Sequence, residues 1–400
     1  MLVVATANRL RGDIDEIMPG VIADRRHFHE NPELGFQEFE TARAVAERLR
    51  SMGVEDIRTG IAVTGVTGLI HGGKGPGKVV LLRADMDALP IQEENDVPYR
   101  SQVNGKMHAC GHDAHTAMLL GIARVLLDRK DEFAGTIKLL FQPAEEGGGG
   151  ARVMIDEGVL SNPNVDAVFG MHMDQGRPLG TIATRPGPAL AAADRFYVTI
   201  KGKGGHGAHP DLTHDPITIG AHIVTALQTI VAREIDPVQP AVCTVGALIS
   251  GEAANVIPDT AILRGTLRSF DPEVREHLAE AVERLVRGIA TAMRADVDYE
   301  YAPGYPPTVN EPEMTQLVMD IAAEVVGAEN VIEAERMMGA EDFSYFLEQR
   351  PGCFYFVGSA NEEKGFTWGH HHPRFDIDEE SMANGMEVMV RTVHRYLESA

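Results

Sequence analysis

Gly135–Ala151 reads GTIKLLFQPAEEGGGGA. Its first half is largely apolar and does not alternate, which is expected of a strand buried on both faces. Pro143 closes that run, and the four glycines after Glu145 and Glu146 specify a tight turn. The next stretch, ARVMIDEGVL, is expected to be a short helix. A buried strand that feeds a helix through a tight turn is the repeating unit of a mostly parallel sheet covered on both faces.

The same unit recurs on either side. Upstream lies GKVVLLRADMDALP, where Val79–Leu82 reads as a buried strand and Pro90 marks the exit loop. TAMLLGIARVLLDRK reads as a helix, and VDAVFGMHM as another strand. Residues 13–30 and 37–50 are expected to be helices joined by the turn HENPELG, with Phe39, Ala42, Val45, Ala46 and Leu49 on one apolar face. After Gly187 the pattern changes. RFYVTIKGK alternates, with Phe196, Val198 and Ile200 on one side. A helix over 217–234, the strands QPAVCTVGALISG and TAILRGTLRSF, a helix opening at Pro272 and the strand DVDYEY follow. That order is β-α-β-β-α-β, the split βαβ arrangement. From about residue 311 the chain returns to helix, the strand CFYFVG, the loop HHHPRF and a last helix. The expected organisation is a larger α/β domain over 1–187 and 303–400 with a smaller α+β domain, 188–302, inserted in it.

Four hundred residues exceed the roughly 250–300 at which a single core stops growing. The formal charge of −23 repels nucleic acid phosphates and anionic lipid, so neither is an expected partner. No stretch reaches the ~20 apolar residues of a membrane span, and MLVVATANRLRGD lacks the order of a secretory signal. Cys110, Cys243 and Cys353 show no disulfide spacing, which points to a reducing, cytoplasmic setting.

In an α/β sheet, ligands gather at loops that leave the C-terminal ends of strands. In this chain those loops carry Asp85 and Asp87, Cys110 and His112, Glu145 and Glu146, His172, and the run His370, His371, His372. These are sulfur, imidazole and carboxylate donors suited to a transition metal. Gly111 can supply the bend that aims Cys110 and His112 at one site. Of two adjacent glutamates, one can bind metal while the other acts as a base. Two phosphate-loop look-alikes fail: GKGGHG at 202–207 opens no helix, and GGKGPGK at 72–78 is followed by Val79 and a strand.

RADMDALPI, MHACGHDAHTAMLLG, QPAEEGGGGA, GMHM, GGHGAHP, ANVIPDT, GAEDFSYF and HHPRFD, in that order over about 25–395, resemble the amidohydrolase subfamily of the M20 metallopeptidases, which includes hippurate hydrolases, N-acyl amino acid amidohydrolases and auxin-conjugate hydrolases. The resemblance implies a large mixed-sheet dinuclear metallohydrolase domain of the phosphorylase/hydrolase-like type, with an inserted ferredoxin-like dimerisation or lid domain and a homodimer or dimer-based oligomer. It implies two divalent ions per subunit (zinc, manganese, cobalt or nickel), with Cys110 bridging them and His112, Glu146, His172 and His371 as further ligands. His370 and His372 are rivals of His371. Glu145 would be the general base, and Asp87 would orient a ligand histidine, expected to be His112. His209 would stabilise the oxyanion, from its own or the other subunit, while Asn255 and Arg268 would bind substrate. The implied reaction is amide hydrolysis of N-acetyl, N-benzoyl or indoleacetyl amino acids. A dipeptidase or an N-acetyl-diamino-acid deacetylase is the alternative, and an aromatic amine deaminase a more distant one.

Overall fold

All seven residues of Val79–Asp85 are buried, as are six of the seven in Thr136–Gln142, which accounts for their unalternating pattern. The computed structural model describes residues 2–399. In chain order the elements are α1 (Leu2–Glu30), α2 (Phe39–Met52), β1 (Glu55–Ile61), β2 (Gly65–His71), β3 (Val79–Asp85), α3 (His112–Asp128), β4 (Thr136–Gln142), α4 (Gly150–Asp156), β5 (Ala167–Pro178), β6 (Ile182–Thr184), β7 (Gly187–Leu190), β8 (Ala192–Lys201), β9 (Gly205–His206), α5 (Pro216–Arg233), β10 (Ala241–Ile249), β11 (Val256–Ile257), β12 (Thr260–Ser269), α6 (Pro272–Ala292), β13 (Asp296–Tyr305), β14 (Thr308–Asn310), α7 (Pro312–Val326), β15 (Val331–Glu333), α8 (Ser344–Gln349), β16 (Gly352–Ala360) and α9 (Ser381–Glu398).

By its contacts the chain divides into two compact units. One runs to Ala189 and includes Val309–Glu335 and the chain from Asp342; the other is Leu190–Thr308 with Arg336–Glu341. The first holds an eight-stranded sheet in the order β1-β2-β4-β3-β5-β16-β6-β15. Its centre, β4-β3-β5-β16, is parallel. β2 pairs antiparallel with β1 and β4, and β6 antiparallel with β16, so the sheet is mixed rather than mostly parallel. α3 packs on β3 and against α1 and α9. The three helices meet at Gly121, where an added Cβ would lie 2.6 Å from the Met386 Cε and 2.8 Å from the Val21 Cγ2. No described helix is long and apolar enough to cross a membrane.

The second unit has a four-stranded antiparallel sheet, β10-β12-β8-β13, which is the strand order of the split βαβ arrangement. Phe196, Val198 and Ile200 of β8 enter a core with Ile223 and Leu227 of α5 and Leu278 and Val282 of α6. Asp271 caps α6 by accepting the backbone N–H of Glu273 and Val274, with Pro272 in the first helical turn.

A buried ionic cluster fixes α1 to the start of α3. Arg25 and His29, one turn apart on α1, both reach Asp113: Arg25 Nε donates to the Asp113 Oδ2 at 2.8 Å and His29 Nδ1 at 2.8 Å. Arg25 also donates to Asp376 at 2.6 Å and Glu379 at 3.1 Å, and His29 Nε2 sits 3.2 Å from Glu93. Burial disfavours a charge on His29, but Asp113 and Glu93 outweigh it and lift its pKa from 6.5 to about 9. Such a group adds stability that is complete below its unfolded pKa of about 6.5 and fades as pH rises through about 9. His29→Gln is therefore expected to cost about 3 kcal/mol at pH 6, with the deficit shrinking as pH rises from about 6.5 and gone above about 9. Denaturant midpoints of both proteins across that range test this, and a pH-independent deficit would contradict it.

Candidate metal centre

Asp87 organises the centre. It follows the end of β3, where Met86 N–H still donates to the Gln142 carbonyl at 2.9 Å. Its Oδ1 accepts the Glu145 N–H at 3.0 Å and its Oδ2 the Glu146 N–H at 2.9 Å. The same Oδ1 lies 3.3 Å from the His112 Nδ1. One buried carboxylate thus fixes the turn after β4 and the first residue of α3. The turn needs its glycines: Gly147 has φ 87°, and a Cβ on Gly150 would lie 1.8 Å from the Pro143 carbonyl oxygen. Ala144, at φ 53°, is held by its N–H to the buried Glu38 carboxylate at 2.9 Å.

Gly111, at φ 92°, supplies the bend between Cys110 and His112, and α3 begins at His112 itself rather than near Thr116. With Nδ1 turned to Asp87, His112 directs Nε2 into the pocket, 4.0 Å from the Glu146 Oε1. His172, on β5, donates Nδ1–H to the Met173 carbonyl at 2.6 Å, which leaves its Nε2 lone pair 3.5 Å from the Cys110 Sγ. In the C-terminal loop, His371 N–H donates to the Ala109 carbonyl at 2.8 Å, and His371 Nε2 lies 3.1 Å from the Glu146 Oε1. His370 Nδ1 stands 3.8 Å from the Cys110 Sγ. His372 turns elsewhere: its ring stacks on Trp368 at 4.3 Å and its Nδ1 accepts the Arg374 N–H.

Two triads of donor atoms result, each within 4.8 Å: Cys110, His112 and His172, and Cys110, Glu146 and His371. They share the Cys110 sulfur. His112, Glu145 and Glu146 form a third such group. The donor set fits divalent transition ions. The buried His112 Nε2 also makes no hydrogen bond. Charge fits too. Burial, reinforced by Glu146, Glu145 and Asp85, pushes the Cys110 thiol well above its usual pKa. Burial opposes a charge on His112, but Asp85 and Asp87 lift its pKa to about 10. The pocket is rich in negative charge that a cation would balance.

Beneath it lies a network that the spacing of residues did not reveal. Arg83, fully buried on β3, donates to Gln142 at 2.9 Å, Asp85 at 2.7 Å and Asp342 at 3.0 Å. Asp342 also accepts from Gln142 and from the Ala151 N–H at 3.0 Å. His115 uses both nitrogens, Nδ1 on Asp85 at 2.6 Å and Nε2 accepting the Met173 N–H at 2.9 Å, so it braces β5 beside His172. The visible signal was an arginine inside the apolar run VVLLRAD.

His209, Asn255 and Arg268 belong to the second unit. Gly207 N–H donates to the Asn255 carbonyl at 2.8 Å, and β9 pairs with β11, so the loops of His209 and Asn255 are neighbours there. Arg268 donates to the Thr266 hydroxyl and the Leu267 carbonyl, and makes no ion pair with a carboxylate among the described residues.

Residues 81–395 match peptidase family M20/M25/M40. The chain belongs to this family. It is 46% identical over 381 residues to thermostable carboxypeptidase 2 of Saccharolobus solfataricus, spanning 94% of this chain and 95% of that one. It is 42% identical over 391 residues to IAA-amino acid hydrolase ILR1-like 4 of Arabidopsis thaliana, spanning 97% and 87%. Among solved M20 structures, the Bacillus subtilis YXEP protein, described as a dinuclear metal binding peptidase, superposes with a TM-score of 0.83 at 36% identity, covering 96% of this chain and all of that one.

Asp87→Ala removes the support of His112 and of both glutamate N–H groups at once. Divalent metal affinity is expected to fall about 10- to 100-fold. Competition with a chelator of known affinity measures it, and wild-type affinity would contradict the role given to Asp87.

Proposed function

We propose that this M20 enzyme hydrolyses the amide bond of N-acyl amino acids, releasing a carboxylic acid and a free amino acid. The observation that carries the reading is the pair of donor triads that share the Cys110 sulfur, with the Glu145 carboxyl group beside them. Cys110, His112, Glu146, His172 and His371 would hold two divalent ions drawn from zinc, manganese, cobalt and nickel. When bound, such ions polarise the scissile carbonyl and acidify a water.

The chain's own residues supply the rest. Glu145 is 7% exposed, and its N–H is fixed on Asp87, so its carboxylate is set beside the donors. It takes the proton from the attacking water and passes it to the leaving nitrogen. His209 donates to the developing oxyanion, a contribution of about 3 kcal/mol. Arg268, free of carboxylate partners among the described residues, grips the carboxylate of the amino acid with its planar fork, beside Asn255. A homodimer in which His209 serves either subunit's site agrees with the family resemblance, and three free thiols suit a cytoplasmic setting.

A second reading, cleavage of dipeptides or of a C-terminal peptide bond, uses the same atoms. The similarity to a protein named thermostable carboxypeptidase 2 favours it. Rates on acetyl, benzoyl and indoleacetyl amino acids, set against rates on dipeptides, separate the two.

Glu145→Gln tests the base. Metal content is expected to stay at the wild-type level while kcat falls about 10²- to 10⁴-fold. Wild-type turnover with metal retained would remove Glu145 from the mechanism.

A further inference from the structure

Two consecutive histidines face the same sulfur from one loop, and their chemistry differs. The His371 Nε2 is turned to the Glu146 carboxylate at 3.1 Å. The His370 ring lies on the other side, packed against His172 with ring centres 5.2 Å apart and against Phe375 at 4.9 Å. Its two nitrogens have fixed neighbours. Nε2 receives the backbone N–H of Gln175 at 3.2 Å, and Nδ1 points at the Cys110 Sγ at 3.8 Å.

These contacts settle the tautomer. A backbone N–H only donates, so the Nε2 that receives it carries a lone pair. The single proton of a neutral imidazole is then on Nδ1, facing sulfur. For His370 to bind a metal through Nδ1, its proton would have to move to Nε2, where it would collide with the Gln175 N–H. His172 shows the contrasting arrangement: its Nδ1–H is spent on the Met173 carbonyl and its lone pair faces the pocket.

We propose that His370 is not a metal ligand but a positioning residue, whose Nδ1–H donates to the Cys110 thiolate and holds that sulfur in the bridging place between the two triads. This rests on the reading of Cys110 as a thiolate ligand. A hydrogen bond to a thiolate lowers the energy of its lone pairs and makes the deprotonated form easier to reach. His370 therefore adjusts the donor strength of the one atom common to both triads. It is also a specific feature of the triple-histidine loop: His371 binds, His370 tunes the sulfur, and His372 packs on Trp368.

The test uses full-length protein loaded with Co²⁺, whose thiolate-to-metal charge-transfer band reports directly on the sulfur, together with the Co²⁺ dissociation constant. His370→Leu removes the donor and keeps an apolar side chain in the space. Its band is expected to move to longer wavelength, with Co²⁺ bound roughly 10-fold more weakly. His370→Asn places an amide N–H near the Nδ1 position and is expected to recover most of both changes. A band and affinity in His370→Leu equal to wild type would overturn the proposal. So would an Asn variant no better than the Leu variant, which would reduce His370 to packing. Loss of the tight Co²⁺ site in His370→Leu to the same degree as in His371→Ala would make it a ligand and overturn the proposal as well. If wild-type protein binds Co²⁺ without any thiolate band, the role of Cys110 fails and this inference fails with it; a normal wild-type band that ignores the His370 substitutions sinks this inference alone.

Discussion

The hydrogen bonds from the Glu145 and Glu146 backbone to the Asp87 carboxylate are the constraint on which the centre depends. Leaving one such buried N–H unpaired costs about 1–3 kcal/mol, and here two consecutive groups share one acceptor. The same carboxylate faces the His112 Nδ1, so it fixes which nitrogen of that ring looks into the pocket. Three parts of the chain, the exit of β3, the turn after β4 and the start of α3, are thereby set in register by a single side chain. Glycine makes this possible on both sides: Gly111 takes φ 92°, and in the run after Glu146 a Cβ on Gly150 would lie 1.8 Å from the Pro143 carbonyl oxygen.

Electrostatics is the second organising force. The pocket gathers Asp85, Asp87, Glu145 and Glu146 around one thiol, and the protein answers with buried cations at different depths. Arg83 neutralises Asp85 and Asp342 from below. Arg25 and His29 neutralise Asp113, the neighbour of His112, from the side of α1. What these cations leave uncompensated lies at the donor atoms themselves, where the Cys110 thiol is pushed up and the His112 imidazole is driven to hold a proton. Donor groups in that state give up protons when they take a metal, so a divalent cation is a fitting complement to this cavity.

Much of this could be read from residue order, and the exceptions have physical causes. Buried strands such as Val79–Asp85 stand out because both faces are covered. β1 was missed because Glu55–Ile61 is an exposed, charged edge strand, and β2 because glycines interrupt its apolar run; a Cβ on Gly68 would lie 2.7 Å from the Val54 Cγ1. The donor loops were legible because sulfur, imidazole and carboxylate recur at strand ends. Which of three adjacent histidines faces Glu146 was not, since it depends on a positive φ of 64° at His371 and on the packing of its neighbours. The ionic supports were invisible for a different reason: Arg83 meets Asp342 across 259 residues and Arg25 meets Asp376 across 351, and no local spacing encodes such a pairing.

The Cys110 sulfur is the one donor common to both triads, placed to join two metal positions. Anomalous diffraction from crystals grown with Mn²⁺ measures this most directly. Two peaks are expected, one among Cys110, His112 and His172 and one among Cys110, Glu146 and His371, both in contact with the same Sγ. Peaks that leave Cys110 untouched, or no peak at this cluster from protein shown to be folded, would contradict the account.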